Sequence, residues 1–356
     1  MHRRPDLSIL GLVLVLPILF TPAAFSGTAP FPLVPGEAVA TCYSGTAPSG
    51  YIVGVYDLRD PRNESPGTGE NWVPPIFHGA WTSSDICSAL GDDCSPGERI
   101  EVFGIALDDA PNPNIYLTST ASYGSGGRSG KVFKIDGFSG SVSLFAELPN
   151  GGEGLGNIAY DPVHQQFFVS NFHKGRVHRL DGTGQELGSP FDPWPETAGF
   201  NTPDEIAWGL AVHNGRLYIG MWNQDPMVRS VAIDASGSLS AGTLKSEVSR
   251  SSYPSKQFSP ISDITFSQEG RLLIAEREMG DINRPSAHDA GVFELTGSSG
   301  NWQISDRDLE IGGYSTGDNS AGGVASLCMP SENDTYVLAT GDALRLGSNN
   351  RIYGIQ

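Results

Sequence analysis

Short runs in which apolar and polar side chains alternate recur along this chain, separated by clusters of Gly, Pro, Ser, Asn and Asp. Alternation with a period of two marks β-strands whose faces meet different surroundings, and the intervening clusters are turn chemistry. The clearest runs are Gly130-Lys-Val-Phe-Lys-Ile-Asp136, Gly175-Arg-Val-His-Arg-Leu-Asp181, Met227-Val-Arg-Ser-Val-Ala-Ile-Asp234, Gly291-Val-Phe-Glu-Leu295 and Asn350-Arg-Ile-Tyr-Gly-Ile355.

Each run is the third strand of a longer repeat. Gly104-Ile-Ala-Leu-Asp-Asp109 is echoed at Asn157-Ile-Ala-Tyr, Gly209-Leu-Ala-Val, Asp263-Ile-Thr-Phe and Gly323-Val-Ala-Ser, at spacings of 53, 52, 54 and 60 residues. A second strand follows each start: Asn114-Ile-Tyr-Leu, Gln166-Phe-Phe-Val, Arg216-Leu-Tyr-Ile, Arg271-Leu-Leu-Ile and Thr335-Tyr-Val-Leu. A weaker fourth strand, such as Ser141-Val-Ser-Leu-Phe-Ala, completes the earlier units. Four short strands repeating at this period predict a propeller blade, because one small sheet cannot bury both faces without neighbours stacked around an axis.

The expectation is an all-β chain forming a single β-propeller of four-stranded antiparallel blades. Six blades are favoured, with five or seven as alternatives. Ala38–Tyr43 and Gly50–Asp57 match the second and third strands of a sixth unit that lacks a clear first strand. The final repeat stops after its third strand, so the two ends are expected to cooperate in closing the ring. Residues 60–98, rich in Pro, Gly, Ser and Asp, read as an inserted loop over one face.

Residues 1–26 change the picture of where the protein works. His2, Arg3 and Arg4 precede a nearly continuous apolar run from Ser8 to Phe20, and Ala24-Phe-Ser26 offers small residues for cleavage, the pattern of a secretory signal. An uncleaved N-terminal anchor is the alternative. Residues 27–356 are then a single exported propeller domain, periplasmic or fully secreted, with no transmembrane segment after signal cleavage and expected to be a monomer.

Acidic residues number 40 against 22 basic, for a net charge of -18, which becomes -19 when two Arg and one Asp leave with the signal. Such a balance argues against nucleic acid or anionic lipid as a partner, since either needs a basic face. It suits a soluble exported protein.

The four Cys fit an oxidising compartment as well. Cys87 and Cys94 stand seven positions apart in a polar loop and suit a local disulfide. Cys42 and Cys328 lie near the two ends and suit a clasp across the closure. Three connectivities remain open on spacing alone. The close pairs of a structural zinc site are absent.

The Gly-Ile-Ala-Leu-Asp-Asp…Asn-Ile-Tyr-Leu…Gly-Lys-Val-Phe-Lys-Ile-Asp pattern resembles NHL-type repeats and the gluconolactonase and regucalcin-like propellers, over roughly residues 38–356. The resemblance implies the propeller fold and, for its lactonase members, a divalent cation in the central channel. Ca²⁺, Mg²⁺ or Mn²⁺ suits such oxygen ligands and could polarise a lactone or ester carbonyl. Asn157 and Asp263 occupy matching starts of innermost strands and are the candidate metal ligands. Gly104, Gly209 and Gly323 stand at the other starts, a departure from the family's pattern. Glu153, Glu205 and Glu276 are nearby carboxylates.

Other motifs carry less. Gly313-Tyr-Ser-Thr-Gly317 matches Gly-x-Ser-x-Gly, but that motif works on a strand–turn–helix elbow over a parallel sheet. His173 and His178 flank a turn and read as surface residues rather than a metal pair. Asn63-Glu-Ser65 and Asn333-Asp-Thr335 match the glycosylation sequon.

Three function classes follow. The favoured one is a non-catalytic binding or scaffolding module whose loops engage a protein, glycan or small ligand, with Trp72, Trp81, Trp208 and Trp222 as candidate contacts and Trp194 as a further one. The second is a metal-dependent lactone or ester hydrolase. The third is an extracellular structural or adhesion component.

Overall fold

The alternating runs pair into small sheets, and in the computed structural model six of these form a β-propeller. The structure describes residues 10–13, 31–42, 50–59, 76–91, 99–121, 129–195, 205–222, 225, 227–252, 259–281, 284–286, 289–307, 309–312, 318–329, 334–346 and 351–356.

Blade 1 contains β1 (Leu10–Val13), β2 (Glu37–Thr41), β3 (Tyr51–Asp57) and β4 (Ile76–Thr82). Blade 2 contains β5 (Glu101–Leu107), β6 (Ile115–Thr120), β7 (Lys131–Ile135) and β8 (Val142–Glu147). Blade 3 is β9 (Leu155–Asp161), β10 (Gln166–Asn171) and β11 (Arg176–Asp181), with isolated bridges to Glu186 and Phe191 in place of a fourth strand. Blade 4 is β12 (Ala207–His213), β13 (Arg216–Met221), β14 (Val228–Ala232) and β15 (Lys245–Val248). Blade 5 is β16 (Ile261–Phe266), β17 (Leu272–Glu276), β20 (Val292–Ser298) and β21 (Asn301–Ile304), interrupted by the small hairpin β18 (Met279–Asp281) and β19 (Arg284–Pro285). Blade 6 is β22 (Ser320–Met329), β23 (Asp334–Leu346) and β24 (Arg351–Ile355).

The innermost strands β5, β9, β12, β16 and β22 neighbour one another in that order, and β1 stands between β22 and β5. β1 falls inside the expected signal segment and runs parallel to β2, Leu10 against Ala38 through Val13 against Thr41. A chain beginning after Ser26 would leave the inner edge of β2 without that strand.

The expected insertion at 60–98 needs correction. Ile76–Thr82 is the blade's own outer strand, pairing Trp81 with Val53 and Phe77 with Tyr56. Ser83–Ser88 then forms the short helix α1. Thr82 caps it by accepting from the Asp85 N–H, while the Asp85 carboxylate accepts from Thr82 N at 2.6 Å, a reciprocal capping box. The turn-rich composition on either side hid a seven-residue strand.

Apolar side chains from facing blades form the interior as a set of clusters at the blade interfaces. Blades 2 and 3, for example, bury Val132, Tyr116, Phe167 and Leu180 against one another. Buried hydroxyls then stitch blade to blade. Thr41 donates to Phe103 O at 2.7 Å, Thr118 to Gly156 O at 2.6 Å, Ser170 to Trp208 O at 2.7 Å and Ser262 to Gly322 O at 2.8 Å. Each satisfies a carbonyl of the next inner strand that would otherwise be buried without a partner.

Local chemistry places the turns. Asn214 and Gly215 take φ of 47° and 68°, both in the left-handed region that a two-residue hairpin between β12 and β13 requires. Asp136, Asp181 and Asp234 end their third strands, each accepting backbone N–H groups of the following turn at 2.8–3.1 Å. The recurring Asp of the repeat is therefore a turn cap.

Candidate functional site

The channel brings the sequence-predicted pair together. Asn157 on β9 and Asp263 on β16, from blades 3 and 5, are both buried, and Asn157 Nδ2 donates to Asp263 Oδ1 at 2.6 Å. The same oxygen accepts the Ile264 N–H at 2.9 Å, and Oδ2 accepts the Val324 N–H of blade 6 at 2.9 Å. Asn157 Oδ1 accepts the Ile158 N–H at 2.8 Å. The pair is a crosslink joining blades 3, 5 and 6. Burial pushes the Asp263 carboxyl up to about 7, against the lowering pull of its N–H donors.

This donor set does not fit a divalent cation. Both carboxylate oxygens already face the positive ends of N–H bonds, and the Asn157 amide presents its nitrogen, not its oxygen, to the partner. Calcium needs six to eight oxygens. Among the described residues no group of three or more His, Cys, Asp or Glu is placed to hold an ion. Glu153 instead meets His173 at 3.2 Å, and buried Glu276 accepts the Gly291 N–H at 3.2 Å. Glu205 is likewise buried.

Two of the glycines at the other strand starts, Gly104 and Gly209, have a packing reason. A Cβ on Gly104 would lie 2.6 Å from Asn157 Cα and 2.7 Å from Gly156 O, and one on Gly209 would lie 3.0 Å from Asp263 N. Inner strands approach too closely there for a side chain.

Tryptophans expected at a loop surface lie inside. Trp81, Trp208 and Trp222 are 6%, 0% and 5% exposed, so they are not open ligand contacts. Trp208 stacks on Trp222 with centroids 5.0 Å apart, and meets Phe103 at 4.7 Å and Phe172 at 5.1 Å. This aromatic cluster ties blades 2, 3 and 4 beside the inner strands. Trp81 packs on Phe31 and donates its indole N–H to Gly140 O at 3.0 Å. Trp194 is also buried, its ring 3.7 Å below the Arg229 guanidinium. Large aromatic faces gain more from blade interfaces than from water. Trp72 lies outside the described residues.

The proposed clasp is corrected too. Cys42 is a free, buried thiol in the apolar seam between blades 1 and 6, beside Ala325, Leu327 and Ile355. Burial pushes it up to about 12. Cys87 is disulfide-bonded. Cys94 and the Cys328 side chain lie outside the described residues, as does the Gly313–Gly317 motif.

His173 and His178 do not converge. Asn171 sits between them, donating its side-chain N–H toward His178 Nε2 at 3.1 Å and accepting the His173 N–H at 3.0 Å. His178 Nδ1 meets Glu186 at 2.6 Å.

An open concavity lies elsewhere, between blades 2 and 3. It is a cleft of about 380 Å³ lined by Asp108, Asp109, Pro111, Tyr116, Tyr160 and Phe167 among others. The β5–β6 loop supplies the two carboxylates. Asp108 shapes that loop by accepting from Asn114 N at 2.8 Å, Asn114 Nδ2 at 2.6 Å and the Tyr116 hydroxyl at 3.1 Å. Exposed Asp109 accepts from the Tyr160 hydroxyl of blade 3 at 2.6 Å. Burial and the neighbouring carboxylates push both tyrosines above their ordinary range, so they stay neutral donors. Tyr116 and Tyr160 flank Phe167 with centroids 4.2 and 5.0 Å away. Asp108-Asp109 and Tyr160 are visible in the repeat motifs, yet nothing in their spacing shows that they face each other across a blade boundary.

A ring of blades with a loop-built cleft defines a β-propeller. No protein-family model matches the chain, and no curated protein matches it by sequence. Among solved structures it is similar to a nidogen/laminin complex at 14% identity and TM-score 0.42, covering 87% of this chain and 95% of that one. It is similar to a gluconolactonase from Xanthomonas campestris at 15% identity and TM-score 0.36, covering 62% and 64%. A virginiamycin B lyase from Staphylococcus aureus matches at 16% identity and TM-score 0.33, covering 54% of this chain and 56% of the lyase. The chain thus spans little more than half the length of that lyase. The blade assignment rests on the strand order and inner-strand neighbours described above.

Proposed function

We propose that the protein is an exported, monomeric, non-catalytic binding module that takes a ligand at the loop-built cleft between blades 2 and 3. The cleft itself carries this reading. It is open and lined by polar and aromatic side chains from two blades, whereas Asn157 and Asp263 in the channel are spent on one another and on backbone N–H groups. Such propellers host enzymes and binders alike, so the site and not the fold decides.

The competing reading, a metal-dependent hydrolase, draws on the meeting of Asn157 and Asp263 inside the ring. Calorimetric titration of EDTA-stripped protein with Ca²⁺, Mg²⁺ and Mn²⁺ separates the two. The binding-module reading expects no stoichiometric uptake. Stoichiometric binding that disappears in an Asn157→Ala/Asp263→Ala variant would replace it with the hydrolase. Export is tested by cell fractionation with N-terminal sequencing, which should find a mature chain starting at Gly27.

A further inference from the structure

Asn-Gly occurs twice in the chain, at Asn150-Gly151 and Asn214-Gly215. Such a pair is prone to react with itself, because glycine has no Cβ to hold its backbone nitrogen away from the asparagine side chain. The two pairs are held very differently. Asn150 is half-buried, and all four hydrogen-bonding positions of its amide are filled. Its Nδ2 donates to Gly154 O at 2.9 Å and to Asn171 Oδ1 at 2.8 Å. Its Oδ1 accepts the Gly152 and Gly154 N–H groups at 2.9 and 3.0 Å.

Asn214 stands at the exposed tip of the β12–β13 hairpin on blade 4, with φ of 47° followed by 68° at Gly215. Its Nδ2 donates to His213 Nε2 at 2.8 Å. Among the described residues neither Asn214 Oδ1 nor the Gly215 N–H has a partner. A Cβ built on Gly215 would meet nothing within 4 Å. The tip can therefore swing out of the turn, bringing the Gly215 nitrogen onto Asn214 Cγ, without striking a neighbour.

We infer that Asn214 is a self-modifying site of the folded protein, losing its side-chain nitrogen as ammonia to become Asp or isoAsp, with His213 carrying the proton. The Gly215 nitrogen attacks Asn214 Cγ, so a Gly215 N–Cγ bond forms and the Cγ–Nδ2 bond breaks. The proton leaving the Gly215 nitrogen ends on the departing ammonia. Water then opens the five-membered imide at one carbonyl or the other, giving Asp or isoAsp. His213 stacks on Phe266 with centroids 3.9 Å apart and planes 6° from parallel, which fixes its ring beside the turn. Burial lowers its imidazole below the ordinary range and keeps it neutral, so Nε2 is an acceptor. Once it has taken up the proton, that nitrogen is the group in contact with Nδ2 and placed to return it. Either product puts a carboxylate beside His213. IsoAsp also lengthens the main chain by one carbon in a two-residue turn, where His213 pairs with Arg216 and sets the register of β12 on β13.

Peptide mapping by mass spectrometry, on the purified protein held in warm, mildly alkaline buffer, tests this. Asn214 should convert to Asp and isoAsp at least about tenfold faster than Asn150, whose amide must first give up its hydrogen bonds. In urea the two sites should react within about twofold of each other, which assigns the difference to the fold. Asn214→Gln, a change at an exposed tip, should abolish the modification there and leave the thermal melt unmoved. His213→Phe, which keeps a ring to stack on Phe266, should slow the reaction several-fold. Equal rates at the two sites in the folded protein, or a faster Asn150, would overturn the inference. So would an Asn214 that reacts in urea but stays intact in the native hairpin. An unchanged rate in folded His213→Phe, its fold checked by thermal melt, would overturn the part given to the imidazole.

Discussion

Asp263 sets up a pH-dependent weakness at the centre of the ring. Its carboxyl titrates at about 7 when folded, against an ordinary value of 3.8, because it is cut off from water. The folded state therefore holds a proton that the unfolded chain has released, and stability falls as pH rises through that window. At about 1.4 kcal/mol for each tenfold change, the loss between about pH 3 and pH 8 is on the order of 4 kcal/mol. That is a large share of the roughly 5–15 kcal/mol that holds a domain folded. Asp263→Asn removes the titration while keeping the shape, but its NH2 can no longer accept an N–H where a carboxyl oxygen did, which costs about 1–3 kcal/mol at every pH. Urea unfolding of both proteins from about pH 4 to pH 8 should therefore find the variant about 1–3 kcal/mol the less stable at pH 4, with the gap closing steadily as pH rises. The variant should be the more stable one at the alkaline end, by about 1–3 kcal/mol. Parallel curves, or a wild type still more stable at pH 8, would refute the reasoning. The three N–H donors to Asp263, rather than its burial, would then control its charge.

Removing the blade-to-blade hydroxyl in Ser170→Ala strips a donor from Trp208 O and an acceptor from Asn157 N, and should cost about 1–3 kcal/mol in denaturant midpoint analysis. Cys42, buried and pushed up to about 12, should resist alkylation at pH 8 in the native protein and react in denaturant, as read by site-resolved mass spectrometry. If the chain is cleaved after Ser26, β1 is lost. Amides of Ala38–Thr41 that do not bond to β3 should then exchange quickly in the mature protein, with their neighbours protected, by residue-resolved hydrogen exchange.

Much of the architecture was legible along the chain. The repeats starting at Gly104, Asn157, Gly209, Asp263 and Gly323 mark inner strands, the runs ending at Asp136, Asp181 and Asp234 mark third strands, and Ala38–Tyr43 and Gly50–Asp57 mark the second and third strands of blade 1. These features are legible because pleat alternation and turn capping act between residues a few positions apart. Asn157 and Asp263 were legible as equivalent positions, but not as partners, since the hydrogen bond between them spans 106 residues. Ile76–Thr82 was missed because a short strand flanked by turn-forming residues carries little periodic signal.

Burial of Trp81, Trp208 and Trp222, the free Cys42 and the facing of Asp109 by Tyr160 were decided only when blades packed. Local sequence establishes which strands form and how they pair with their immediate neighbours. Which side chains meet across a blade boundary depends on the angle and spacing of whole sheets around the axis, and those follow from burying every interface at once.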